Sequence, residues 1–399
     1  VSGRGIPDRT LLWGTAATQL IGWGTLYTPF PLTVAPIEAE LGWSRVLLNA
    51  AYTCGLLAAG LGAIPAGQWL DRHGPRAMMP LGAFGASGLL VAMSLVQHPL
   101  AYFALWILIG AAQAMCLWGT AMAVVVAEAR EPTRTITAIT FLTGFTATIF
   151  LPLTDWLIGT FGWRGALQVL AAMQFVAAAM TWAMLREARA PARAAAMTAG
   201  PSLWARLRQP AFAGLALCFA AHAFIGTGLG AHLIPLLRER GWPESMVLLL
   251  AAAHGPAQVA ARGVLFVLGR RVTMRGVGRL ATGLLPIAML ALAAGPSSLP
   301  LTLVFVGSFA VADGLLTIVR SAGAAEILGR EGFGAINGAL SAVAMLPRTF
   351  APFALALVWE GAGGYGPVPW ILVGVALMAA GSFLVAATAR QPAPPGAAT

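Results

Sequence analysis

The 399-residue chain has no lysine, only three cysteines and only fourteen acidic residues. Without lysine it cannot form the G-x-x-x-x-G-K-[ST] phosphate loop, which excludes ATP-driven pumping within this chain. Cys54, Cys116 and Cys218 lie inside apolar runs. No C-x-x-C and no Cys/His metal spacing exists, so they read as small packing residues and no metal is expected. Charged residues make up 10% against about 25% in soluble domains, too few to cover a water-soluble surface of this size. No nucleophile, base or metal-ligand cluster is evident, so neither an enzyme nor a cofactor is expected.

What is abundant is apolar sequence, 58% of the residues. A window of about 20 residues, the length needed to span a bilayer, finds twelve candidate helices. They cover about 11–36, 45–69, 77–97, 100–127, 135–160, 163–186, 210–236, 245–268, 276–295, 299–325, 334–359 and 368–389. The first run is too long for a signal-peptide core and is expected to remain as a spanning helix.

All basic residues are arginines, and the net charge is +10. They sit in short gaps between apolar runs, which points to membrane topology rather than nucleic acid. With the N-terminus placed inside, the cytoplasmic segments hold 17 arginines, among them Arg9, Arg72, Arg76, Arg130, Arg270 and Arg330, and the outer segments hold only Arg45, Arg164, Arg238 and Arg240. Trp43, Trp163, Trp242, Trp359 and Trp370 then fall near the outer interface, where indoles prefer to sit. The expected location is a bacterial inner membrane, with both termini cytoplasmic and the chain monomeric.

An internal repeat divides the chain. Glu40-Leu41-Gly42-Trp43 matches Glu239-Arg240-Gly241-Trp242 at an offset of 199, and Ala127-Glu128 recurs as Ala325-Glu326 at 198. The expected organisation is a six-helix half over 1–186, a cytoplasmic linker over 187–209, a second six-helix half over 210–390 and a disordered tail over 391–399.

After the second span comes Gly67-Gln68-Trp69-Leu70-Asp71-Arg72-His73-Gly74-Pro75-Arg76. It resembles the G-x-x-x-D-R-x-G-x-R/K signature of the major facilitator superfamily. In that pattern Gly67 lets helices approach, Gly74 permits the turn, and Asp71 latches the cytoplasmic side through arginines and a helix N-terminus. The second-half copy is degraded, with Gly269 where Asp71 would be. The resemblance implies an all-α membrane protein, two six-helix bundles, a central cavity and alternating access.

Ionisable groups inside a membrane are costly and face a cavity or a partner. The eighth span carries His254, Gln258 and Arg262 at i, i+4 and i+8, on one helical face. Gln258-Val259-Ala260-Ala261-Arg262 is similar to the D-x-x-x-R element of monocarboxylate transporters, with Gln258 in place of the aspartate. That resemblance, which also brings the oxalate–formate antiporter branch into view, implies that Arg262 binds a substrate carboxylate. Phe30, in Thr28-Pro29-Phe30, stands where that family has a coupling lysine. The tenth span carries Asp313, Thr317 and Arg320 on one face, and the eleventh carries Arg348 beside Pro347. Three interior arginines against one acid imply an anionic guest, since a bare cation at that depth costs at least ~2.5–3.5 kcal/mol. Snorkelling to the headgroups is the alternative for each arginine.

The expected activity is therefore secondary transport of a small organic anion of monocarboxylate type, coupled to a proton or to exchange. Arg262, Arg348, Arg320, Gln258 and Tyr27 are the substrate-binding candidates. Asp313, His254, His222 and Asp155 are the coupling candidates, with Asp155 also readable as an outer gate residue. Efflux of drugs or amphipathic metabolites is the second reading.

Overall fold

The computed structural model describes residues 6–186, 188, 208–268, 272–295, 297–328 and 333–389. Apart from Ala188, Arg208 and Gln209, the expected linker 187–209 lies outside the described residues. The tail and the arginines at 270, 271 and 330 lie outside them as well. The described residues are helical and contain no strand.

The N-terminal half holds α1 (Asp8–Leu26), α2 (Phe30–Leu41), α3 (Arg45–His73), α4 (Pro75–Ser94), α5 (Pro99–Cys116), α6 (Trp118–Glu128), α7 (Pro132–Thr143) and α8 (Thr146–Leu185). The C-terminal half holds α9 (Pro210–Glu239), α10 (Glu244–Leu268), α11 (Met274–Ala294), α12 (Leu299–Ile318), a π-helical turn (Val319–Gly323), α13 (Ala324–Leu328), α14 (Phe333–Ala362) and α15 (Val368–Thr388).

Each expected span is matched by helix, but several are interrupted. The first breaks between α1 and α2 because Pro29 supplies no N–H, and the amides of Tyr27 and Thr28 both turn back to the Trp23 carbonyl at 3.1 Å. The fifth and sixth spans share α8, which bends at Gly162 with φ 67° and ψ 171°. A left-handed residue of this kind is readily supplied by glycine.

Among the described residues nine stretches are long and apolar enough to cross a membrane. One of them, Arg134–Leu185, covers two expected spans. The expected spans without such a stretch are the broken first one and α10, whose His254, Gln258 and Arg262 dilute its apolar character.

The repeat is visible in the backbone. Gly42 and Gly241 both have positive φ, 69° and 78°, at the corner after the first helix of each half. Gly162 and Gly363, at 67° and 69°, mark the corner after the fifth.

The helices gather into two compact units. The first contains the described N-terminal half together with Gly230–Pro256 and Pro352–Glu360. Its helices meet at glycines. A Cβ on Gly110 would lie 2.0 Å from the Gly55 carbonyl oxygen, and one on Gly24 would lie 2.3 Å from the Phe150 ring. Close approach through small residues is how membrane helices pack when the solvent offers no hydrophobic drive. Amides bond across the same interfaces: Gln19 to the Cys116 carbonyl at 3.1 Å and Gln113 to the Leu26 carbonyl at 3.2 Å. Leu81, Leu100 and Ile64 project outward and are more than half exposed, as lipid-facing side chains are.

The second unit contains the described residues of 208–229, 257–351 and 361–389. In it α11 packs on α12 and α15.

Candidate functional site

The second unit joins three of its helices around one carboxylate. His222 of α9 places Nε2 2.8 Å from Asp313 Oδ1 of α12, and Gln258 of α10 donates its amide N–H to Asp313 Oδ2. Asp313 and His222 are largely buried, with side chains 19% and 15% exposed. Gly314 makes the meeting possible. A Cβ there would stand 2.8 Å from the Gln258 carbonyl oxygen and 3.0 Å from its Cγ.

Arg262, one turn beyond Gln258, is 8% exposed. Its Nε donates to the Gly314 carbonyl at 3.4 Å, and Thr317 Oγ1 donates to the same oxygen at 2.7 Å. The charge of Asp313 acts on Arg262. The guanidinium is therefore held inside the unit beside an acid.

A second cluster lies further along α12. The π-helical turn carries Arg320, whose Nη2 donates to Ser341 Oγ of α14 at 2.7 Å. A π turn inserts an extra residue into the helix and redirects the side chains that follow, and it is frequent at functional sites. Arg348 follows Ser341 by two turns on α14 and is exposed, not enclosed as the sequence reading of an interior arginine expected. Neither arginine has an ion pair among the described residues.

The other candidates lie elsewhere. His254 is half-buried on α10 in the first unit. Nearby, Thr148 Oγ1 donates to the Ala252 carbonyl at 2.8 Å, and a Cβ on Gly255 would be 2.4 Å from the Gly144 oxygen. Tyr27 caps α1 within an aromatic cluster, 5.2 Å from Trp23 and 5.9 Å from Tyr52. Phe30 stacks on Tyr52 at 3.9 Å.

Asp155 accepts a hydrogen bond from Arg238 Nη2 at 3.4 Å, while Arg238 Nε donates to Glu244 at 2.9 Å. The neighbouring cavity of about 160 Å³ is lined by Val34, Ala35, Arg45, Pro235, Arg238 and Glu239. Arg45 lies 4.4 Å over the Trp359 ring.

In the latch motif, Gly74 ends α3 and begins α4 with φ 76°. Arg76 donates to the Ala188 carbonyl, and Arg72 is exposed in the last turn of α3. The Asp71 side chain lies outside the described residues. A Cβ on Gly67 would meet nothing within 4 Å, so helix approach does not require glycine there.

Sequence reasoning missed Ser341 and Gly314. Neither carries charge, and neither shares a motif with the arginines.

The fold is similar to solved transporters. A bacterial homologue of the human lysosomal transporter Spinster, solved in inward-facing conformations, matches at TM-score 0.65 with 14–15% identity, covering 95% of this chain and 94–95% of that one. The nucleoside transporter NupG matches at TM-score 0.71 with 14% identity, covering 95% and 100%. No curated protein sequence matches. Residues 12–352, most of the chain, match the Major Facilitator Superfamily, and the protein belongs to that family of membrane transporters.

Proposed function

We propose that this transporter carries a small organic anion, of monocarboxylate type, by secondary alternating access between its two six-helix halves, 1–186 and 210–390. Both termini lie on the cytoplasmic side of a bacterial inner membrane, as the arginine distribution favours.

The observation that carries the reading is the neighbourhood of Arg320 and Arg348. Two like charges, Arg320 tied to Ser341 and Arg348 two turns beyond Ser341 on α14, belong to one cluster, and neither is ion-paired among the described residues. A carboxylate arriving between them removes the repulsion and offers each fork a pair of acceptor oxygens. Arg262 adds a third positive group within the same unit, partly offset by Asp313.

The test is uptake of labelled formate, lactate, benzoate and succinate into proteoliposomes. The wild type is compared with Arg262→Gln, Arg320→Gln and Arg348→Gln. Losing a charge-assisted contact of about 1.5–3 kcal/mol predicts an affinity drop of roughly tenfold or more for each contacting arginine. Unchanged uptake in all three variants would sink the anion reading and leave efflux of apolar cargo as the alternative.

A further inference from the structure

We propose that His222 and Asp313 form the proton-binding site of this carrier and take up one proton together with each anion. The proposal rests on the anion reading above.

Asp313 is the only acid on the spanning helices of the second unit among the described residues. Glu326 lies beyond the π turn, at the Met274 amide. The other charged and titratable groups around Asp313 can be named helix by helix. α9 brings His222 and the apolar-packed Cys218, and α10 brings Arg262, the neutral amide of Gln258 and, one turn before Gln258, the half-buried His254. In the π turn that follows α12 Arg320 stands two turns away, and α14 carries Arg348. The charges of α11, Arg275 and Arg279, lie in its first two turns, and α15 carries none. Among the described residues of the second unit, no second acid on a spanning helix competes for the proton.

The charges decide what a proton does here. With His222 neutral, its Nε2–H donates to the Asp313 carboxylate. The negative charge of Asp313 then offsets the positive charge of Arg262, and the group sums to zero. A proton from water enters at His222 Nδ1 while Nε2 keeps its 2.8 Å contact to Oδ1. The group then carries one net positive charge. In a low-dielectric interior an uncompensated charge is expensive. An anion binding beside Arg262, Arg320 and Arg348 supplies the compensation.

Proton and anion therefore strengthen each other's binding by the same factor, as linkage requires. On the other side of the membrane the proton leaves Nδ1 for water, the group returns to zero, and the anion is released. No covalent bond to the anion forms or breaks. Gln258 cannot titrate. Its amide donor holds the second carboxylate oxygen in place through the cycle.

The experiment uses the full chain in proteoliposomes containing a pH-sensitive dye. The labelled probe is whichever of formate, lactate, benzoate or succinate the wild type transports. With acid outside, the wild type accumulates the probe and acidifies the lumen in step. His222→Gln and Asp313→Asn are expected to lose about tenfold or more of gradient-driven accumulation and the linked dye signal. Asp313→Asn leaves the group at the charge of its protonated state and keeps anion-for-anion exchange at equal pH within about threefold, whereas His222→Gln stays at the unprotonated charge and loses exchange as well. Exchange by Asp313→Asn also shows that this variant is folded.

If either variant keeps wild-type accumulation, the proposal is overturned. Loss of exchange together with accumulation in both variants overturns it too, by placing the pair in anion binding instead. A wild type that moves none of the four anions under either condition overturns the anion reading itself, a different failure from the other two.

Discussion

Trp163 donates its indole N–H to Glu40 at 2.6 Å, and the same carboxylate accepts from Arg164 Nε at 2.8 Å. The second half repeats the device: Trp359 donates to Glu239 at 2.7 Å. Glu40 and Glu239 are the repeat-related acids just before Gly42 and Gly241. Trp163 directly follows the Gly162 corner, and Trp359 lies in the last turns of α14, four residues before the Gly363 corner. A duplicated corner is thus preserved in chemistry as well as in backbone conformation.

Glu40 makes this corner sensitive to pH. The hydrogen bonds from Arg164 and then Trp163 hold its carboxyl below the usual carboxylate range. A lowered folded-state value means that the stabilisation is complete above the ordinary carboxylate pKa. It is lost as pH falls through the lowered one. Glu40→Gln should therefore flatten the acid limb of thermal stability in detergent. The site is half-exposed, so the change in Tm should be about 2 °C or less. An unchanged acid limb would show that the corner contributes nothing.

Glycine position separates packing from motif. Gly110 lies against the Gly55 backbone, where an added methyl has no flexible neighbour to displace. Gly110→Ala should cost about 1–3 kcal/mol through overpacking. Gly67→Ala meets open space and should leave the unfolding temperature unchanged. Thermal unfolding of the two purified variants side by side checks this, and equal losses would contradict it.

Arg238 holds two acids at once, Asp155 and Glu244. Removing it with Arg238→Gln leaves like charges facing each other and should loosen this end of the first unit. The readout is thiol labelling of Ala35→Cys, which lines the adjacent cavity, in a Cys54→Ser background. The labelling rate should rise severalfold. The double variant Arg238→Gln/Glu244→Gln should recover part of the protection, because one of the two repelling charges is gone. No recovery would mean that repulsion is not the cause.

Much of this was legible in the sequence, and the limits are physical. Helical periodicity placed Gln258 and Arg262 on one face and Asp313 and Arg320 on another, because residues three, four, seven or eight apart share a side of a helix. Periodicity says nothing about which faces meet. The sequence reading set three interior arginines against the single acid Asp313. The structure adds His222 and Gln258, 91 and 55 positions away. That meeting depends on Gly314, whose missing side chain carries no chemical signature. Gly42 and Gly241 stood out in the internal repeat, whereas the break at Pro29 did not, since the apolar run 11–36 continues through it. The π turn at Arg320 did not stand out either, since Val319–Gly323 differs from ordinary helix only in its hydrogen bonding. The latch motif was legible as a pattern, yet the open space at Gly67 shows that a conserved-looking spacing does not fix the reason for each residue in it.

Ser341 tests the anion site without removing any charge. Its hydroxyl receives Nη2 of Arg320 at 2.7 Å and fixes the fork that the π turn presents. Ser341→Ala leaves the guanidinium charged but free to rotate, so each anion bound must also order the side chain. A hydrogen bond to a charged group is worth about 1.5–3 kcal/mol at most. Arg320 can recover part of that through water. KM for the transported anion should rise about threefold to tenfold, with the maximal rate nearly constant, the signature of lost uniform binding. Ser341→Thr keeps the hydroxyl and should restore wild-type KM. If Ser341→Ala instead lowers the maximal rate at constant KM, Arg320 acts in the conformational step rather than in holding the anion.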